Sequence, residues 1–185
     1  MVLLISSFSL PLAVSKLVSA RMAAGQAKAA YKIFKCTLLF ALVSGGIGAL
    51  LIFFGAGFFS DVLVNTPESK LALQVLAPTI LVVAIMGCLR GYFQGLGTMV
   101  PTAVSQIVEQ VINAAVSIGA AWVLFHYGQK LDTLLGTETA AYAYGAAGST
   151  LGTGLGALSG LILLVLLILA YRRFMKRKMA SDRSR

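Results

Sequence analysis

Five long apolar stretches, roughly residues 2–20, 36–59, 71–93, 102–125 and 141–171, occupy most of this 185-residue chain. Each is close to or above the ~20 helical residues that carry a segment across ~30 Å of hydrocarbon. Lipid offers no partner for backbone N–H and C=O groups, so an isolated spanning segment must satisfy them within itself, and a helix does so. The expected fold class is therefore all-α: a polytopic transmembrane bundle of about five helices over residues 1–171, followed by a basic tail, 172–185. The last stretch is longer than a bilayer needs, so it is expected to tilt or to begin outside the membrane. Pro78 lies inside the third stretch, where it removes a helix hydrogen bond and favours a kink. Only 11% of the residues are charged, against about 25% in soluble domains, which excludes an ordinary soluble enzyme or binding module.

The net charge of +9 would suggest a nucleic-acid partner in a soluble chain. Here the placement of the basic residues gives a different reading. Arg21, Lys28, Lys32 and Lys35 follow the first stretch, Arg90 ends the third, and seven Lys and Arg residues fill the tail; Lys70 and Lys130 lie in the alternate loops, and Lys16 inside the first stretch. Twelve of the fifteen basic residues thus fall on one side, which marks that side as cytoplasmic. The expectation is a plasma-membrane protein with a cytoplasmic C-terminus, an external N-terminus and no nucleic-acid partner. Met1 leads directly into apolar residues, with no basic residue before Lys16, so the start does not read as a signal peptide. It reads as a chain that begins inside a span.

One stretch carries a polar row. Gln106, Glu109, Gln110 and Asn113 are spaced at i, i+3, i+4 and i+7, with Thr102 and Ser117 extending the row. On a helix they share one face. Polar groups at membrane depth are costly and usually face a bundle interior or a wet cavity, so the row points to a path or pocket for a polar substrate. Three charged residues lie in or at the edge of spans: Lys16, Arg90 and Glu109. Glu109 is the foremost candidate for contact with a substrate or ion, with an interhelical hydrogen bond as the plainer role. Lys16 either snorkels to the interface or enters a cavity. Arg90 either anchors its loop at the interface or binds a phosphate-bearing headgroup.

No catalytic constellation is present: no metal-binding His–Glu pair, no nucleophile elbow and no phosphate loop. Catalytic residues, metal ligands and cofactors are accordingly expected to be none. Cys36 and Cys88 read as small apolar residues, and His126 has no companions for a metal site. The glycines read as packing devices. Gly148, Gly152, Gly156 and Gly160 recur every fourth residue, as do Gly87, Gly91 and Gly95, and Gly45 pairs with Ala49. Small residues at this spacing let membrane helices approach closely.

Two segments carry a family resemblance. One runs Leu10-Pro11-Leu12-Ala13-Val14-Ser15-Lys16-Leu17-Val18; the other runs Arg90-Gly91-Tyr92-Phe93-Gln94-Gly95-Leu96-Gly97, then Pro101-Thr102-Ala103-Val104-Ser105-Gln106-Ile107-Val108-Glu109-Gln110. They resemble the polysaccharide-transport branch of the MOP flippase superfamily, the group of stage V sporulation protein B and MurJ-like lipid II flippases. The resemblance extends over essentially the whole chain, from the family's second spanning helix to its sixth. It implies a MOP/MATE-like fold of two lobes around a central cavity, of which this chain is part of the N-terminal lobe. It also implies movement of lipid-linked sugars across the plasma membrane by alternating access. Lys16, Gln94, Gln106, Glu109 and Gln110 match the family's polar cavity face.

The expected function is therefore part of a flippase or exporter for lipid-linked oligosaccharide or a peptidoglycan precursor. Its expected partners are that substrate, membrane lipid, and a missing C-terminal lobe or second polypeptide. The candidate substrate-binding residues are Lys16, Arg90, Gln94, Gln106, Glu109, Gln110 and Asn113. Three alternatives remain open at the level of sequence: a membrane interaction or scaffold protein without transport, a lobe of a multidrug exporter of the same superfamily, and a membrane enzyme.

Overall fold

The computed structural model describes residues 2–58, 60, 69–136 and 139–180. Among the described residues, five helices follow one another: α1 (Val2–Ala23), α2 (Ala27–Phe58), α3 (Ser69–Gly95), α4 (Val100–Leu135) and α5 (Ala140–Ala180). No strand occurs among the described residues. Among the described residues, four segments are long and apolar enough to cross a membrane: Ala27–Phe58, Lys70–Gly95, Val100–Leu134 and Ala140–Tyr171. The all-α polytopic architecture is thus present, and α1 covers the first expected stretch.

The helices are longer than the apolar stretches that define them. α2 begins at Ala27, well before Cys36, and takes in Lys28, Lys32 and Lys35. α4 runs to Leu135, and α5 carries the backbone of the basic tail to Ala180. A helix need not end where hydrocarbon ends, because lysine and arginine are good helix formers in water. α3 continues through Pro78 and α1 through Pro11.

Glycine closes three of the helices. After α1, Gly25 takes φ +72°, its N–H bonds to the Met22 carbonyl at 3.1 Å, and Gln26 N–H bonds to Arg21 at 2.9 Å. After α3, Gly97 takes φ +81°, with Gly97 N–H on Gln94 at 3.0 Å and Thr98 N–H on Phe93 at 3.2 Å. This pair of bonds is the Schellman arrangement, which satisfies the last carbonyls of a helix and reverses the chain.

The chain divides into two compact units. The first comprises Met1–Ser44, Val83–Ile107 and Gly160–Arg185; the second comprises Gly45–Val82 and Val108–Ser159. The first is packed with bulky groups: Val14, Val18, Phe34, Met86, Leu89, Tyr92, Phe93 and Leu164 are buried. Phe34 and Tyr92 stack with ring centroids 4.3 Å apart. In the second, the buried hydrophobic residues among those described, Ala56, Ala77, Ala141, Ala147 and Ala157, are all alanine. That unit is held by close backbone approach rather than by large interdigitating side chains, as expected where lipid removes the hydrophobic drive between helices.

The contact register gives helix directions. Within the first unit, a Cβ added to Gly87 would meet Pro11, one on Gly91 would meet Pro11 and Val14, and one on Gly95 would meet Ser15 and Val18. Both numbers rise together, so α1 and α3 pack in parallel. Within the second unit, a Cβ on Gly148 would meet Ala120 and Ala121, one on Gly152 would meet Ser117, and one on Gly156 would meet Glu109 and Asn113. One number rises as the other falls, so α4 and α5 pack antiparallel. Both relations agree with successive passes through a bilayer.

Candidate functional site

The polar row of α4 is a true helix face, and its members differ in surroundings. Thr102 is buried, Glu109, Asn113 and Ser117 are half-buried, and Gln106 and Gln110 are exposed. The glycine row of α5 covers one shoulder of the face. Gly156 sits where a side chain would strike the Glu109 carbonyl and Asn113, so the main chain of α5 approaches that of α4 closely there. Gln106 and Gln110 lie on the uncovered shoulder.

Asn113 and Ser117 form a polar link within the second unit. Ser117 Oγ lies 2.9 Å from Asn113 Oδ1 and 2.9 Å from the Ser149 carbonyl on α5. One hydroxyl proton cannot serve both acceptors. Turning the Asn113 amide so that Nδ2 donates to Ser117 leaves that proton for Ser149, and both bonds are then made. Asn113 therefore contributes to helix pairing through Ser117, in addition to lying on the expected substrate face.

The remaining candidates belong to the first unit. Arg90 is half-buried on α3, and its Nε donates to Ser105 Oγ on α4 at 3.1 Å. Ser105 is fully buried and donates in turn to the Thr102 carbonyl at 2.8 Å. The guanidinium thus ties the end of α3 to the first turns of α4. Gln94 is half-buried one turn beyond Arg90, and Lys16 is exposed on α1. Lys16, Arg90, Gln94 and Gln106 fall in the first unit, and Glu109, Gln110 and Asn113 in the second.

Three features were not anticipated by the sequence reading. Ser105 holds Arg90, and its signal was only that it stands in the family-like segment. The hydroxyls of Tyr92 and Thr102 are buried with no hydrogen-bond partner among the described residues, which leaves unsatisfied polar groups near the α3–α4 turn. Asp132, near the end of α4, takes the Ala140 N–H on Oδ1 and the Ala141 N–H on Oδ2, both at 2.9 Å. A carboxylate on the first amides of a helix satisfies orphan donors and opposes the positive end of the helix dipole. Among the described residues no group of three or more His, Cys, Asp or Glu side chains could hold a metal.

Comparison with known proteins gives a consistent relationship. Residues 1–184 match the model of a family described as polysaccharide biosynthesis protein. Three proteins of Bacillus subtilis (strain 168) are similar to the chain. Lipid II flippase MurJ is 29% identical over 153 residues, covering 78% of this chain and 28% of that protein. Stage V sporulation protein B is 29% identical over 160 residues, covering 86% and 28%. The uncharacterized membrane protein YabM is 31% identical over 163 residues, covering 87% and 27%. The chain thus spans little more than a quarter of the length of these relatives. No solved structure matches it.

Proposed function

This chain belongs to the polysaccharide biosynthesis protein family, and on that premise we propose that it forms part of a membrane flippase for a lipid-linked oligosaccharide or peptidoglycan precursor. The observation that carries the reading is the family match along residues 1–184 together with a helix that presents amides and a carboxylate along one face. A lipid-linked sugar has a headgroup rich in hydroxyls and phosphates, and amides, cations and carboxylates are the groups that recognise them. Its transport needs a polar surface within the bilayer, which Gln106, Glu109, Gln110 and Asn113 would supply along α4. Arg90, Gln94 and Lys16 would add donors and positive charge. Such a protein acts as a transporter rather than an enzyme.

In this reading residues 1–171 cross the plasma membrane five times, at about 2–20, 36–59, 71–93, 102–125 and 141–171. The basic segment 172–185 lies on the cytoplasmic side and the first residues on the outer side. The cavity is completed by a second lobe, in the same polypeptide or in another. Rocking of one lobe against the other would then expose the polar face to each side in turn.

The test is a transplant. Residues 1–185 replace the matching segment of MurJ in a strain whose own lipid II flippases are depleted. Restored growth and cell-wall synthesis are expected. If the chimera inserts into the membrane at normal levels and growth is not restored, lipid II is not the cargo, and a precursor assay with other lipid-linked sugars decides whether the flippase reading survives.

A further inference from the structure

α1 and α2 enclose a laterally open groove of about 570 Å³, lined by no residue of the polar row. Arg21 and Lys32 line it together with Leu17, Ala29, Ile33 and Cys36. All of these belong to the first unit. Basic groups and an apolar wall therefore share one concave surface. Arg21 is held in place from the following turn, its Nη1 donating to Gln26 Oε1 at 3.0 Å. That bond uses one of the five guanidinium donors, and the planar fork keeps others for an anion.

The charges carried by α1 and α2 are of one sign. Lys28 and Lys35 stand on α2 beside Lys32, and no acidic residue occurs before Asp61. Lys35 lies over the Tyr31 ring, 5.0 Å from its centroid, which places that cation on the flank of the helix. An occupant must therefore be anionic at one end and apolar along its length. Inorganic phosphate has nothing to set against Leu17, Ala29 and Ile33. A zwitterionic lipid brings no net charge to the basic rim. A sugar-bearing lipid needs amide or carboxylate partners for its hydroxyls, and Thr37, the neutral hydroxyl of the lining, already donates to the Ile33 carbonyl at 2.9 Å.

We propose that the α1–α2 groove binds an acidic phospholipid of the bilayer, with its phosphodiester between Arg21 and Lys32 and the upper part of an acyl chain along Leu17, Ala29 and Ile33. Such a lipid fixes the basic turn at the membrane surface and fills a hollow that the helices leave open. The site shares no residue with the proposed substrate face on α4 and does not depend on flippase activity, so the measurement below involves no transport.

The experiment uses the 185-residue chain in detergent, with dioleoyl phosphatidylglycerol or dioleoyl phosphatidylcholine added and retained lipid counted by native mass spectrometry. Retention of phosphatidylglycerol and loss of phosphatidylcholine are expected. Neutralising both cations (Arg21→Gln with Lys32→Gln) should weaken phosphatidylglycerol retention roughly thirtyfold, since each basic side chain near a lipid surface contributes a factor of about five. Ala29→Phe keeps both charges and fills the groove, and it should abolish retention while leaving helicity unchanged. Lys70→Gln, a neutralisation in the other unit, should have no effect. Equal retention of the two lipids overturns the proposal. So does an equal loss in Lys70→Gln, or full displacement by millimolar inorganic phosphate, which would make the groove a phosphate site alone.

Discussion

Gly156 of α5 lies against the main-chain carbonyl of Glu109 in α4: a Cβ at that glycine would sit 2.8 Å from the carbonyl oxygen and 2.8 Å from Asn113 Cβ. The obstacle is largely backbone, which cannot rotate out of the way. Gly156→Ala is therefore expected to push α4 and α5 apart and to cost about 1–3 kcal/mol, the range for overpacking. Gly119 of α4 has nothing within 4 Å of such a position. Gly119→Ala should be neutral or slightly stabilising, because alanine is the better helix former. Thermal unfolding of the two variants in the same detergent checks the contrast. Equal effects would show that glycine content, rather than this contact, governs stability.

The parallel packing of α1 and α3 can be tested by cross-linking. A Cβ on Gly95 would lie 2.6 Å from Val18 Cβ, nearer than the ~3.5–4.5 Å of a disulfide, so a small outward shift suffices. With Cys36 and Cys88 replaced, Val18→Cys with Gly95→Cys should form a bond on mild oxidation. Val18→Cys with Gly87→Cys should not, because Gly87 lies two turns away, about 12 Å along the axis. Antiparallel packing would reverse the two outcomes, and gel mobility before and after reduction distinguishes them.

These contacts show what the sequence could disclose. The spacing of Gly148, Gly152 and Gly156 marked a close-packing face, since periodicity is a local property. Their partners on α4 depended on a register between distant segments, which no single stretch encodes. The apolar pattern located the helices but stopped short of their ends. Lys28, Lys32 and Lys35 lower hydropathy without interrupting helical backbone, so α2 starts at Ala27 rather than near Cys36. The face of α4 was legible from i, i+3, i+4 and i+7. Its division into a shoulder approached by α5 at Glu109 and Asn113 and an exposed one at Gln106 and Gln110 was not, because that depends on where α5 lies. Arg90 was visible as a charge at a span end, but its bond to Ser105 crosses a turn whose geometry is set by Gly97.

Asp132 supports the α4–α5 turn through the amides of Ala140 and Ala141. Asp132→Ala leaves the first turn of α5 without that acceptor, and the expected cost is about 1–2 kcal/mol. Asp132→Asn keeps one good acceptor oxygen and loses the charge, so its cost should be roughly half as large. Hydrogen exchange at residues 140 and 141 gives a local readout. Faster exchange in both variants, more marked for alanine, is expected, and unchanged protection would remove Asp132 from this role.

Glu109 is the position at which the proposed transport and the observed packing can be separated. The close approach to Gly156 involves its main-chain carbonyl, and Gln is nearly isosteric with Glu, so Glu109→Gln preserves that contact. It removes the negative charge and gives the side chain a donor. In the MurJ chimera, with expression and thermal stability unchanged, transport of lipid-linked precursor should fall about tenfold, the effect of some 1.4 kcal/mol at the rate-limiting step. Gln110→Glu, on the exposed shoulder of the same helix, moves the charge by one residue around the face. Combined with Glu109→Gln it should leave transport low if the carboxylate acts at a fixed position. Full activity of the single Glu109→Gln chimera would show that the carboxylate has no part in transport and leave residue 109 as a packing position alone.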